Sequence, residues 1–321
     1  MAAIKIEIKK NDVKESAVPF WDYVLWAVKK YWHFYLLLFL PITYFIIFRY
    51  GPMYGNIIAF RRFILGGPVY GTQWVGLRYF KMFLDNPEFW KVFKNTFLLS
   101  TLNLAIGFPI PIIFALLLNE IKNGLFKRAV QTISYLPHFI SVVVLVGLVM
   151  EILSPTNGII NNILKSMGVE PIYFLNEPQW FRFIYISSGI WQGMGWSSII
   201  YLATLSGIDT NLYEAAEVDG ANRWQQTIFI TIPSLMNTAI ILLILNIGHL
   251  LDVGFEKVLL LYNPSIYDTA DVISTYVFRM GLQNNNYSYA TAVGLFENLI
   301  GLVLIFTANK LAQKYSESSL W

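Results

Sequence analysis

Glu214, Glu217, Asp219 and Arg223 sit close together in EAAEVDGANRWQQTIFITIPSL (Glu214–Leu235), a mostly polar, helix-forming stretch broken by Asp219-Gly220 between two long apolar runs. Carboxylates and a guanidinium on a short helix suit charge-assisted hydrogen bonds or ion pairs with a partner protein. Arg223 serves equally well as a lipid headgroup anchor. Glu297 interrupts the last apolar run, and a carboxylate there is costly unless it faces a cavity, a partner or water near the span's end. Ser197, following Gly195 by two residues, and His249 sketch an intramembrane serine protease with the hydroxyl activated by imidazole. Ser198 and Ile199 follow, where such a site wants a glycine-rich turn, and that reading leaves Glu214 to Pro233 without a task. Zero cysteines exclude disulfides, thiolate metal sites and cysteine nucleophiles, and His33, His138 and His249 are too dispersed for a paired-histidine metal motif. No GxxxxGK[ST] is present, so this chain has no P-loop for a nucleotide.

The elements that position these residues belong in a bilayer. A chain of 56% hydrophobic, 17% aromatic and 13% charged residues has too little polar surface to coat a soluble globule. A hydrocarbon core about 30 Å thick needs roughly 20 apolar residues per helix. Segments 32–50, 95–118, 131–153, 182–207, 234–252 and 291–311 meet that, predicting an all-α polytopic protein of six spans. Pro109 and Pro111 should kink the second span, Pro137 the third, and Gly193 with Gly195 should loosen the fourth. Residues 1–30 carry Lys5, Lys9, Lys10, Lys14, Lys29 and Lys30 and read as a cytoplasmic tail with an interfacial helix over 20–30, Trp21, Tyr23 and Trp26 at headgroup level. Those lysines place the N-terminus inside, and six spans place the C-terminus there too, with Lys122, Lys127, Arg128 and the Glu214 segment. Loop 51–94, with Arg61, Arg62, Arg78, Lys81, Lys91 and Lys94, then lies outside, against the charge rule. The formal net charge of +3 is ordinary for a membrane protein and does not point to nucleic acid.

Locally, Asn211 and Glu214 resemble a capping box that starts a helix near Leu212, Gly220 ends it, and a second short helix runs over 222–230 until Pro233 closes the unit. The product is a helix-turn-helix knob. Ala215, Ala216 and Ala221 keep its surface shallow, and Leu212, Tyr213, Trp224, Ile228 and Ile230 supply apolar anchors. Such a loop could merely space two spans, or it could dock a soluble partner.

Glu214-Ala215-Ala216, Asp219-Gly220-Ala221 and Ile230-x-Ile232-Pro233 together resemble the EAA loop of permease subunits in binding-protein-dependent (type I) ABC importers, with Ile232 where leucine is commoner. PMYGNIIAF (52–60), WVGLRYF (74–80), FWKVFKNTF (89–97), QTISYLPHFIS (131–141), WQGMGWSSIIYLATLSGID (191–209) and YSYATAVGLF (287–296) resemble the LplB-type complex-sugar branch. The resemblance implies a MetI-like permease over 31–321 with a cytoplasmic coupling loop at 209–233, in a bacterial plasma membrane. It implies a non-enzymatic transport subunit without its own cofactor, paired with a second permease subunit, two ATPase subunits that hold ATP and Mg, and an extracellular solute-binding lipoprotein that delivers a sugar. Glu214, Ala215, Ala216, Asp219, Gly220, Ala221, Arg223, Ile230 and Pro233 would then couple to the ATPase. Trp191, Gln192, Trp196, Tyr201, Asn246 and Glu297 are candidates for the sugar path, although in so aromatic a chain most rings are core or interfacial belt. Glu151, His249 and Asp252, near span ends, read mainly as interface residues. An ion-driven carrier is the second alternative; it predicts buried charge pairs and inverted repeats, and only Glu297 is placed in mid-span.

Overall fold

The computed structural model describes residues 20–121 and 124–315; the lysine-rich tail, Lys122 and the terminal Ser319-Leu320-Trp321 lie outside them. Among the described residues the secondary structure is helical, with one isolated antiparallel bridge between Arg61 and Trp74. Residues up to Asn56 form one unit and those from Ile57 onward another. In the first unit, helix α1 (Phe20–Phe45) leaves helical geometry at Tyr31 (φ −112°, ψ 20°), where the interfacial stretch was expected to give way to the first span.

In the second unit the principal helices are α2 (Pro87–Gly107), α3 (Pro109–Glu120), α4 (Leu125–Tyr135), α5 (Val142–Ile152) and α6 (Pro178–Ser206). They continue with α7 (Thr210–Val218), α8 (Arg223–Gly248), α9 (Phe255–Leu261) and α10 (Tyr287–Tyr315). By length and apolarity, four continuous helices among the described residues qualify to cross a membrane: Leu25–Phe60, Pro87–Glu120, Arg223–Gly248 and Tyr287–Lys314. Leu125–Phe139 and Val142–Ile152, bent by 103°, make a fifth if they are one span. The one remaining expected span, the fourth at 182–207, corresponds to α6, 29 residues long but diluted by Arg182, Gln192, serines and glycines. Its polarity fits its neighbours: α6 packs along α2, α3 and α8, where small and hydroxylated residues let backbones approach.

Three expectations about irregular helix need restating. Pro109 and Pro111 remove the donors that the Ala105 and Gly107 carbonyls would use, yet α2 and α3 meet at Phe108 with helical dihedrals (φ −69°, ψ −43°). Pro137 does sit at a sharp break, the 103° turn into α5, which Ser141 restarts by accepting from Val144 N (3.3 Å). Gly193 and Gly195 do not loosen α6, which runs unbroken from Pro178 to Ser206. Gly195 serves packing instead, because a Cβ there would lie 2.1 Å from Ser134 O.

At the end of α6 near Pro178, the segment after α8 folds back over the helix ends. Asp271, almost fully buried, takes Arg279 in a fork of 2.6 and 3.1 Å and also accepts from Thr275 Oγ1 (2.8 Å). That carboxylate holds the Arg279 guanidinium above its ordinary pKa. Asn95 Nδ2 donates to the carbonyls of Asp268 (2.9 Å) and Asp271 (3.3 Å), Thr96 Oγ1 accepts from Ile273 N (2.9 Å), and Lys91 pairs with Asp268. Phe83, Phe89, Ile273, Tyr276, Tyr289 and Val293 fill the core beneath, with the Tyr276 and Tyr289 hydroxyls 2.7 Å apart. At the opposite end Ala115, Tyr201, Leu205 and Leu235 form a smaller cluster.

Candidate functional site

The knob follows α6 directly. Asp209, not Asn211, caps α7, its side chain accepting from Asn211 N (3.0 Å). The end of α7 is a Schellman closure: Gly220 N donates to Glu217 O (3.0 Å) and Ala221 N to Ala216 O (2.8 Å). Gly220 has φ +80°, the left-handed region that side chains resist. The capping box lies one element later than expected, with Gln225 N on Asn222 Oδ1 (2.9 Å) and Asn222 N on Gln225 Oε1 (2.8 Å). The second half of the knob is no separate helix. Arg223–Gln226 passes through a π-helical turn, Thr227–Thr231, into Ile232–Gly248, so Pro233 continues the rod that it was expected to close off. The missing Pro233 N–H coincides with the wider turn, which gives a π-bulge a local cause.

A single side-chain bond joins the two halves across the bend, Tyr213 Oη to Thr231 Oγ1 at 2.9 Å. Glu214 is exposed and makes no ion pair among the described residues. Asp219 and Arg223 are also exposed, Ala215 is exposed, Ala216 and Ala221 are partly covered, and Ile230 is half-buried. Around them Leu212, Val218, Trp224 and Phe229 stand in solvent, Val218 at 89% and Trp224 at 72%. Val218 and Phe229 were not among the expected anchors; their signal was an apolar residue inside a polar stretch.

A cavity of about 660 Å³ opens between α2, α6 and α8. Trp196, Tyr201 and Asn246, three of the expected path residues, line it, together with Ser100, Asn103, Gly189, Ser197, His249 and Asp252. Trp196 carries the His138 imidazole stacked in parallel, 4.5 Å between centroids. His138 is thus a ring partner of Trp196. Gln192 is turned away from the cavity to serve the bend, donating from Nε2 to Ile140 O (2.9 Å). Trp191 and Glu297 are likewise absent from the lining, Glu297 being half-buried on α10. His249 and Asp252, read from sequence as interface residues, face the cavity because α8 ends beside it. Ser197 and His249 share the wall without a hydrogen bond between them. The large buried charge pair, Asp271–Arg279, lies outside the spans; an Asp-x3-Thr-x3-Arg spacing on one helical face was its signal.

Residues 107–317 match the family described as binding-protein-dependent transport system inner membrane component. The chain belongs to that family. This permease is 44% identical over 289 residues to the polygalacturonan/rhamnogalacturonan transport system permease YteP of Bacillus subtilis, covering 90% of each chain. It is 42% identical to LplB of the same organism over 92% of this chain and 93% of that one. A solved bacterial ABC transporter for the acidic polysaccharide alginate contains a chain 44% identical to the permease, with a TM-score of 0.85 over 91% of this chain and 99% of that chain. A second structure of an alginate transporter, in complex with an alginate pentasaccharide-bound periplasmic protein, matches with TM-score 0.86 over 94% and 99%. The permease is therefore a multi-pass inner-membrane transport subunit, not an enzyme, with the fold of an ABC-importer permease.

Proposed function

We propose that this permease passes an oligosaccharide through the cavity between α2, α6 and α8, driven by ATP hydrolysis in two separate ATPase subunits. The chain itself would hold neither ATP nor Mg. A second permease subunit closes the other side of the cavity, and an extracellular lipoprotein delivers the sugar. Supporting the substrate class are the relatives named for polygalacturonan, rhamnogalacturonan and alginate, and a cavity whose ring, amide and hydroxyl groups suit sugar faces and edges.

The observation that carries the coupling role is the form of the knob: a free carboxylate on a short helix, joined through a left-handed glycine to a rod that continues without a stop along the cavity. A push on α7 reaches the transport path only through something stiff, and α8 is that lever. Glu214 pairs within the ATPase cleft, Ala215, Ala216 and Ala221 let the partner's backbone approach, and Asp219 with Gly220 sets the turn. Arg223 borders the cleft or the headgroups. Ile230 and Pro233 lie where the lever enters the membrane. With the knob in the cytoplasm, both termini are cytoplasmic, residues 1–30 form an inner-face tail before the permease domain, and the Asp271–Arg279 end is extracellular.

The test is sugar uptake by the purified assembly in proteoliposomes with Gly220→Asp or Glu214→Lys in this subunit. Uptake and binding-protein-stimulated ATP hydrolysis should collapse while all subunits still copurify. Full uptake by both variants, or uptake in vesicles without ATPase subunits, would refute the proposal and favour an ion-driven carrier.

A further inference from the structure

Lys257, on α9, is 8% exposed, and no carboxylate lies within ion-pair distance of it among the described residues. Its Nζ donates to Tyr185 O (2.7 Å) and lies 4.5 Å from the centroid of the Tyr185 ring, whose hydroxyl in turn donates to Val253 O. One carbonyl and one ring face leave an ammonium with three donors short of acceptors. Desolvation lowers Lys257 to about 8, so it still carries its charge at neutral pH.

The position of this cation relative to the cavity is set by a glycine. Gly189 lines the cavity, and a Cβ built on it would meet Lys257 Nζ at 3.1 Å. The absent side chain leaves a gap that the ammonium sits against, and Lys257 itself lies behind the wall, not among the residues that line the cavity. The wall itself carries no Lys or Arg and one carboxylate, Asp252, whose Oδ1 accepts from Gly254 N (3.4 Å). A cation therefore lies behind a cavity wall that has none of its own.

We propose that Lys257, reached past Gly189, is a specificity residue for an acidic sugar: it pairs with the carboxylate of a uronate unit as the oligosaccharide crosses the cavity. This rests on the sugar-importer reading and adds the charge of the cargo to it. An ammonium held in a water-poor wall gives a carboxylate a stronger partner than a solvated lysine does, and a neutral ring gains nothing from it.

The test uses the complete assembly with its binding protein in proteoliposomes, offered a tri-galacturonate or its methyl ester, which keeps the ring and hydroxyls and removes the charge. Lys257→Gln retains a donor for Tyr185 O without the positive charge, and Gly189→Ala fills the gap. Relative to wild type, each variant should lower uptake of the acid by about tenfold, equivalent to about 1.4 kcal/mol, and leave the ester within about twofold. If wild type carries only the acid, loss in Lys257→Gln with recovery in Lys257→Arg supports the pairing. A parallel fall for both sugars marks Lys257 as a strut between α9 and α6 and overturns the proposal, as does unchanged uptake of the acid or a wild type that carries the ester alone. Failure of wild type to carry either sugar would overturn the acidic-sugar role of Lys257, while sugar import stands or falls on the Gly220 and Glu214 variants.

Discussion

The two ends of the permease domain spend their polar groups differently. At the Asp271 end, side chains close the structure both locally, Arg279 with Asp271 and Tyr276 with Tyr289, and across distant parts of the chain, Asn95 with two carbonyls of the folded-back segment and Thr96 with the Ile273 N–H. At the knob end, closure is almost wholly local backbone geometry, and one side-chain bond, Tyr213 to Thr231, spans the bend. Apolar residues repeat the contrast, since Phe83, Phe89 and Tyr276 are fully buried while Val218, Trp224 and Phe229 are open to solvent. An end that must hold its own shape completes its bonds internally; an end that receives force from another subunit keeps anchors and charges free while fixing its backbone.

If that distinction holds, variants at the two ends should fail in different ways. The largest loss of stability is expected from Arg279→Met, which leaves the Asp271 carboxylate buried without its cation; breaking such a pair costs about 3–5 kcal/mol. Thermal unfolding of the purified assembly should shift down steeply, with reduced subunit yield. A shift no larger than that of a typical surface substitution would show that the locked end is not what holds the fold.

Gly220→Val should do the reverse. A β-branched residue at φ +80° costs about 1–2 kcal/mol locally, because Cβ collides with the following carbonyl. The damage is confined to an exposed turn, so global stability changes little while α7 is misdirected. Uptake should fall by roughly tenfold or more, the factor that about 1.4 kcal/mol of lost docking produces. A melting temperature that falls in step with uptake would erase the contrast. Tyr213→Phe is the finer version: it deletes the tether to Thr231, worth about 1 kcal/mol, and should reduce stimulated ATP hydrolysis by up to roughly fivefold without changing assembly. An unaltered rate would show that the bend is held by backbone closure alone.

The sequence reading reached the ends unequally for physical reasons. The knob was legible because its information is local: Glu-Ala-Ala, Asp-Gly-Ala and Ile-x-Ile-Pro specify a helix, a left-handed turn and a rod within some twenty residues. Even there the cap was misplaced, since Asp209 was nearer the true start than Asn211, and Pro233, expected to close the unit as the next span begins, does stand at the start of that span but behind a π turn that joins the two helices into one rod. At the locked end the Asp271–Arg279 pair had a local signal that the reading passed over, but the clasp that holds the segment down has partners far apart in the chain; nothing local tells Asn95 that its acceptors are the carbonyls of Asp268 and Asp271. The cavity was half legible for the same reason. Trp196, Tyr201 and Asn246 face it, but Gln192, beside the cavity-lining Gly193, is drawn off by a carbonyl at the Pro137 bend. The long, centrally packed α6 was legible as the apolar segment 182–207, although its polar residues keep it below the hydropathy of the other spans.

Lys257 belongs to neither pattern, being a buried side chain near the locked end with no carboxylate at ion-pair distance among the described residues, and its titration offers a separate check. Its pKa in the fold, about 8, lies below the ordinary lysine value of 10.5, so folding disfavours the charged form. Below about pH 8 the folded protein carries the whole penalty. Between about 8 and 10.5 the folded state has released a proton that the unfolded chain still binds, and stability rises with pH. Above that window both states are neutral at this site and the penalty is gone. Lys257→Met removes the penalty at every pH, so the variant should match or exceed wild type in thermal stability at pH 7, with the difference moving in favour of wild type as pH is raised toward 10. A difference that stays constant across that range would mean that the ammonium is better solvated than its burial indicates, and the gap at Gly189 would then open onto water before any cargo arrives.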